Sequence, residues 1–434
     1  MSETYPIDGS RDALWMATAV KTPATQSLNE HISSDVTIVG GGFTGLNAAL
    51  LLARNGASVC VLEAKSIGFG ASGRSGGQVN LGLNLGPKAL LQKFGTAQGE
   101  RLIDLVINTP DEVFKSIREN RLNCDPVQNG WIQGAKTQSH LYTQQQLLND
   151  YAEFGCTLEL LDKATLENRA GTTRYLGGLH CPMAGSLHPL SYTRELASAS
   201  IAAGARIFSE SPVTGIRQSD NPATGWTLST SHGQVTSEQV LICTNGYTDN
   251  LIKGLRQKVV PVRSLLMASE PLSDNLRATV LPNQVTFVDK RRLILYFRYD
   301  RDGRLCVGDH GPMRDAFCKA DFDAVKRRVN DVFPLLSDTR WDYHWGGRVA
   351  ITKDSLPFMH RIAPGLTAGM GYNGRGVGMG TMMGKTLAKH ILQPQQTTAF
   401  PLTNPKKFAM HKFHTAGVSM TIKWMALRDH LESV

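Results

Sequence analysis

Gly40, Gly42 and Gly45 stand in G-x-G-x-x-G spacing, and Glu63 comes 18 residues after the last of them. Such residues suit a phosphorylated adenosine: bare backbone N–H groups meet a pyrophosphate, and a carboxylate accepts from ribose hydroxyls. Gly40 permits the tight turn, Gly42 the approach of the pyrophosphate, and Gly45 the packing of helix on strand. Phe43 and Thr44, inside the glycine turn, are candidate cofactor contacts beside the N–H groups that face the phosphates. The spacing carries weight only inside a strand–helix–strand unit, and residues 35–63 supply one. Val36–Val39 is a β-branched run suited to a buried parallel strand, Leu46–Arg54 reads as a helix closed by Gly56, and Val59–Leu62 is a second strand ending on Glu63. The unit predicts an adenine dinucleotide.

The glycine-rich segment beyond this unit selects FAD over NAD. Ile67–Gln78 holds five glycines in twelve residues, together with Arg74 and Gln78. A loop so poor in side chains suits backbone lying against a large flat ligand. A second glycine cluster, Gly369–Gly384, succeeds the mainly apolar stretch Leu366–Met370 and passes into a helical pattern over Thr381–Leu392. The positive end of that helix would stabilise electron density on a reduced flavin. Two separated glycine-rich helix starts suit one elongated cofactor.

The bulk properties narrow the class. A chain of 434 residues, 41% hydrophobic and 19% charged, buries a large core and divides into two domains. The first residues show no basic, apolar leader, and no apolar run is long enough to span a membrane. Residues 1–30 are mixed and polar and are expected to wrap the surface. The seven cysteines are scattered and never in C-x-x-C spacing, which argues against a disulfide framework or zinc site and fits a reducing cytoplasm. No His/Asp/Glu cluster has metal spacing. The net charge of +9 is spread out, with clusters at Lys290–Arg292, Lys326–Arg328 and Lys406–Lys407. Without interleaved aromatics these do not predict nucleic-acid binding; attraction of anionic substrates is the expected consequence.

Along the chain, 98–119, 141–154, Tyr192–Ala203 and Asp321–Val332 read as helices. Trp226–Ser231 and Gln234–Glu238 form a hairpin around His232 and Gly233, and Val240–Gly246 adds a strand to the dinucleotide sheet. Residues 258–310 are strand-rich and broken by polar turns, which predicts a separate antiparallel sheet.

The assembled pattern resembles the D-amino-acid oxidase/sarcosine oxidase (DAO) family of FAD-dependent amine oxidoreductases, and within it the gamma-glutamylputrescine oxidase branch. The resemblance rests on Val39–Leu46, Ile67–Gln78, Leu187–Leu190, Gly371–Val377 and the closing Leu427–Leu431. It implies an α/β fold: a Rossmann-like FAD-binding domain of the glutathione-reductase type, interrupted by a mainly antiparallel β-sheet substrate domain with helices. The expected FAD-binding pieces are 31–120, 186–258 and 346–434; the substrate domain takes 121–185 and 259–345. By resemblance, Ser72, Gly73, Arg74, Gly76, Gly77 and Gln78 lie along the pyrophosphate and flavin. Ala64 and Val213 meet the adenosine, and Thr244, Asn245 and Gly246 pack beside the cofactor. Gly347, Gly374, Arg375, Gly376 and Val377 contact the isoalloxazine. Covalent members attach flavin through a cysteine shortly before the last glycine motif; Trp345–Asp354 has none, so FAD is expected to be non-covalent. Arg375 and Gly378 stand where sarcosine oxidases carry histidine and lysine, which argues against sarcosine as substrate.

Amine oxidation by flavin requires orientation, a deprotonated amine and a stabilised reduced flavin, not an acid–base triad. The candidates for the substrate face are His188, with capping as its alternative; Trp345, an aromatic wall; and Arg298 or Arg348, carboxylate anchors. Tyr296 shares a strand face with Arg298, and Arg263 is a comparable anchor. The expected activity is oxidation of a small amine or amino acid with O2 as acceptor and H2O2 as product. The alternatives are a dehydrogenase serving a membrane quinone or other acceptor, and a flavin-binding redox sensor without turnover. The tail Lys406–Val434, apolar among basic residues, reads as a helix packed on the FAD domain, with peripheral membrane contact as the second reading.

Overall fold

The computed structural model describes residues 4–7, 9, 13–219 and 225–431. The β-branched run of the first glycine unit forms the strand His31–Val39, at the centre of an eight-stranded sheet. Val59–Leu62 and then Arg206–Phe208 extend it in parallel on one side, and Gln234–Ile242 lies parallel on the other, with Val240 beside Thr37 and Ile242 beside Val39. Leu366–Met370 joins Gln234–Ile242, again in parallel. The expected hairpin is present: Trp226–Ser229 runs antiparallel to Gln234–Ile242.

Three helices cover this sheet, and two of them start at its glycine turns. Phe43–Arg54 begins at the first glycine unit and is buried along most of its length. Close approach fixes its glycine: a Cβ on Gly45 would stand 2.0 Å from the Gly40 carbonyl oxygen. Gly376–Leu392 packs against Phe43–Arg54, and Pro189–Ala202 closes the other flank.

A second eight-stranded sheet runs Trp341–Ile351, Val260–Pro271, Arg304–His310, Tyr296–Tyr299, Thr286–Asp289, Trp131–Ala135, Gly177–Cys181, Glu159–Leu161. Its neighbours are antiparallel except Thr286–Asp289 with Trp131–Ala135. The strand Trp341–Ile351 crosses the expected boundary at 345, so one continuous strand belongs to the second sheet and also reaches the cofactor side.

The described residues before His31 depart from expectation in part. Ile7, Leu14, Trp15 and Leu28 are buried, because Trp15 inserts beside Trp345, with rings 5.7 Å apart, and donates its indole N–H to the Ser75 carbonyl at 2.9 Å. The segment runs over the surface, mostly exposed or half-buried, and is pinned into the core by these few apolar side chains. The C-terminal helix His414–Leu431 also differs: it lies over the antiparallel sheet's cavity instead of the parallel sheet.

Candidate active site

The turns at the carboxyl ends of the parallel strands enclose a cavity of about 330 Å³, within the range of small-ligand sites. Gly40, Gly42, Phe43, Thr44, Glu63, Ala64, Ser72, Val213, Thr244, Asn245 and Gly246 border it. Glu63 is oriented by the chain itself: its carboxylate accepts the Gly41 N–H at 2.7 Å and the Lys65 N–H at 3.0 Å. Burial pushes its pKa up, and those amide bonds oppose the shift. The early and late glycine segments touch. Tyr372 Oη lies 2.6 Å from Thr44 Oγ1, and the Gly371 N–H donates to Asn245 Oδ1 at 2.8 Å.

A second cavity, about 540 Å³, continues from the first. Ala71, Ser75, Arg348, Val349, Asn373, Gly374 and Gly376 border both, so the two make one trough. The larger part is bordered by Arg74, Gly76, Gly77, Gln78, Gly347, Arg375 and Val377 on the glycine side. Trp131, Gln133, Arg263, Tyr296 and His310 of the antiparallel sheet face them. Helix Gly376–Leu392 starts at the junction, and no side chain caps its first amides. Those N–H groups and the helix dipole favour negative charge there.

Three of the proposed substrate-facing residues are engaged elsewhere. His188 borders neither cavity: its Nδ1 accepts the Ser191 N–H at 3.1 Å, capping helix Pro189–Ala202, and its Nε2 meets Thr18 Oγ1 at 3.0 Å. Arg298 spends its guanidinium on the carbonyls of Gly76, Tyr299 and Leu187, at 2.5, 3.1 and 3.0 Å, and stacks 4.6 Å from the Trp15 ring centroid. It holds the glycine loop from behind and borders neither cavity. Trp345 is buried, donating to the Arg74 carbonyl at 2.9 Å. Arg348 does reach the trough, over the Tyr247 ring at 5.1 Å. Gly45 and Gly73 stand back from both cavities and serve close packing; a Cβ on Gly73 would meet the Gly68 carbonyl oxygen at 2.1 Å.

The buried cap at His188 has a consequence for stability. Burial, helped by the nearby Arg298 charge, pushes its pKa down to about 3. The unfolded chain takes up this proton near pH ~6.5 and the folded one does not, so stability falls as pH drops from about 6.5 towards 3. Asparagine also caps helices. His188→Asn should therefore lose about 2 kcal/mol less stability than the parent between pH ~7 and ~5, measured by urea unfolding. Equal losses would contradict the assignment.

Several buried polar atoms along the trough lack a partner within the protein. Ser75 Oγ, Asn80 Oδ1 and Trp131 Nε1 are all in this state, and all three residues border the larger cavity. Buried polar groups are costly unless bonded, and a polar ring system with a ribityl-phosphate chain offers partners at these places. Gly374 and Gly376 leave open space where a Cβ would project. The residues present fit FAD, with Glu63 at the adenosine end and the start of helix Gly376–Leu392 at the flavin end. Among the described residues, no group of His, Cys, Asp and Glu is placed to hold a metal.

Ser75 lies in the glycine-rich segment Ile67–Gln78, but Trp131, Gln133 and Asn80 carry no sequence signal of their role. None sits in a recognisable spacing, and only the register Ile132 to Phe287 brings the Trp131 strand to the flavin side. The roof of the larger cavity, Val418, Thr421, Ile422 and Met425, is equally hard to foresee. Helical spacing signals an apolar stripe there, but the partner surface is remote in sequence.

Comparison with known proteins agrees with this geometry. A family model described as DAO, FAD dependent oxidoreductase, matches residues 35–390. The chain is 34% identical over 384 residues to the probable oxidoreductase OrdL of Haemophilus influenzae, covering 85% of this chain and 84% of the relative. It is 31% identical over 381 residues to the gamma-glutamylputrescine oxidoreductase of Escherichia coli (strain K12), covering 86% and 87%. Among solved structures it is similar to glycine oxidase from Geobacillus kaustophilus, with a TM-score of 0.71 at 22% identity, covering 86% of this chain and 99% of that one. That likeness places the same α/β flavoenzyme fold under both sequences. The chain belongs to the DAO family of FAD-dependent oxidoreductases.

Proposed function

We propose that this enzyme oxidises the C–N bond of a small amine that also carries a carboxylate, with FAD held non-covalently and O2 as the acceptor. One observation carries the reading. The larger cavity is bordered by Arg74, Arg263, Arg292, Arg348 and Arg375 but by a single acid, Asp309, which is already engaged by His310 and Arg328. Such a field holds an anion and disfavours an ammonium, so a bound amine is driven towards its neutral, oxidisable form.

Most of these arginines are committed to carbonyls or acids of the protein. Arg375 is the least committed: its Nη1 donates to one carbonyl, that of Leu81, at 3.1 Å, its guanidinium carbon lies 5.5 Å from the Trp131 ring centroid, and it forms no ion pair among the described residues. Burial pushes its pKa down with no acid nearby to compensate. Lys290 is likewise depressed, by burial and then by Arg375. Two half-buried cations that repel one another are costly without an anion, and a substrate carboxylate would supply it. Trp131 and Tyr296 offer aromatic walls to the carbon chain between the carboxylate and the neutral amine. FAD bound along the trough would supply the two-electron oxidant for the carbon that bears nitrogen; the substrate imine would then be hydrolysed by water to a carbonyl compound and ammonia or a smaller amine. No cysteine borders the larger cavity among the described residues, which supports non-covalent attachment. A gamma-glutamylated polyamine, as in the name of the Escherichia coli relative, joins a carboxylate to an oxidisable amine.

The exposed apolar face of helix His414–Leu431 favours a second reading, a dehydrogenase that passes electrons to a membrane quinone. Turnover in air separates the two. The oxidase forms one H2O2 for each carboxylated amine consumed; turnover only with added quinone refutes O2 as the acceptor, and no turnover of any such amine refutes the substrate class.

A further inference from the structure

Helix His414–Leu431 carries two apolar stripes. Val418, Thr421, Ile422 and Met425 border the larger cavity. On the same side, Asp429 accepts from Arg292 Nη1 and from the Leu293 N–H, both at 3.1 Å. Steps of three and four residues place all of these on one face. This inner stripe accounts for how the helix is held.

The outer stripe is not accounted for. Met420, Trp424, Leu427 and Leu431 repeat the same spacing on the far side and are 67%, 53%, 56% and 62% exposed. Phe413, just before the helix, prolongs the stripe and is exposed as well. Cations border it: Lys412, Lys423 and Arg428 are exposed, and Lys412 and Arg428 lie over the rings of Phe413 and Trp424 at 5.0 and 5.3 Å. Lys406 and Lys407, also exposed, precede it. Asp429, the acid of this helix, faces inward.

We propose that the outer stripe seats on an anionic lipid bilayer. Met420, Trp424, Leu427 and Leu431 enter the boundary between headgroups and acyl chains, while Lys412, Lys423 and Arg428 meet lipid phosphates. Charge decides between this occupant and a second copy of the chain. A two-fold contact would set these cations against their own counterparts, whereas anionic headgroups neutralise them. No helix among the described residues is long and apolar enough to cross a membrane, so the attachment is peripheral.

The test uses the full-length, FAD-loaded protein and vesicles of phosphatidylcholine with or without about 30% phosphatidylglycerol. The protein should sediment with the anionic vesicles and not with the neutral ones. Trp424→Glu combined with Leu427→Glu should lower the bound fraction about tenfold or more, with flavin absorbance unchanged. Lys423→Glu with Arg428→Glu should lower it too and flatten its salt dependence. Flavin content read in each fraction separates lost docking from lost cofactor. Failure to sediment, equal sedimentation with neutral vesicles, or a dimer broken by Leu427→Glu without vesicle binding would overturn the proposal.

Discussion

Gly376→Val should yield a folded protein that no longer retains FAD. A Cβ at Gly376 meets no protein atom within 4 Å, yet the residue borders both parts of the trough. The branched side chain therefore costs the fold little and intrudes where the cofactor must lie. A misfit of this size costs about 2–3 kcal/mol, roughly a hundredfold in affinity. Gly45→Val makes the opposite comparison, since its side chain would strike the Gly40 carbonyl and disturb the fold itself. Thermal unfolding and the visible spectrum distinguish them: normal melting without flavin colour for Gly376→Val, lowered melting for Gly45→Val. A fully flavinylated Gly376→Val protein would contradict the placement of FAD.

Arg375→Met should be the most damaging change to turnover that spares the cofactor. If Arg375 anchors the substrate carboxylate, kcat/KM for a carboxylated amine should fall by about 10²–10³, the usual loss for one partner of a buried charge pair. The same amine without its carboxylate should be oxidised slowly by the parent and about equally slowly by the variant. Arg375→Lys should recover part of the loss, because it keeps the charge and forfeits the bidentate geometry. A uniform loss for both substrates would instead mark Arg375 as a support for the Trp131 wall against which it stacks.

The legibility of each feature in the sequence depends on how local its signal is. The first glycine unit is legible because its strand, turn, helix and terminal acid obey rules that span fewer than thirty residues, and Glu63 does reach the dinucleotide cavity. Four of the antiparallel sheet's eight strands are legible as strand-rich runs broken by polar turns between Lys258 and His310; the other four lie outside that stretch. For His188 the capping alternative is the one the structure shows, through the local Ser191 amide, whereas Arg298 and Trp345 turn to the glycine loop at Gly76 and Arg74. All three also touch the Trp15 ring, on a strap far away in the chain whose mixed composition gives no sign of that contact. Trp131 is invisible for the complementary reason: it belongs to no motif and matters only through sheet register. Arg375 stands out in sequence as a departure from a family pattern, but its want of an acidic partner is a fact of three-dimensional packing.

The most direct measurement is anaerobic titration of the FAD-loaded enzyme with a carboxylated amine, monitoring the oxidised-flavin absorbance band. Stoichiometric bleaching, with one carbonyl product per flavin and little bleaching by the decarboxylated analogue, is the result expected. Persistent colour with every carboxylated amine, or bleaching that ignores the carboxylate, would contradict it.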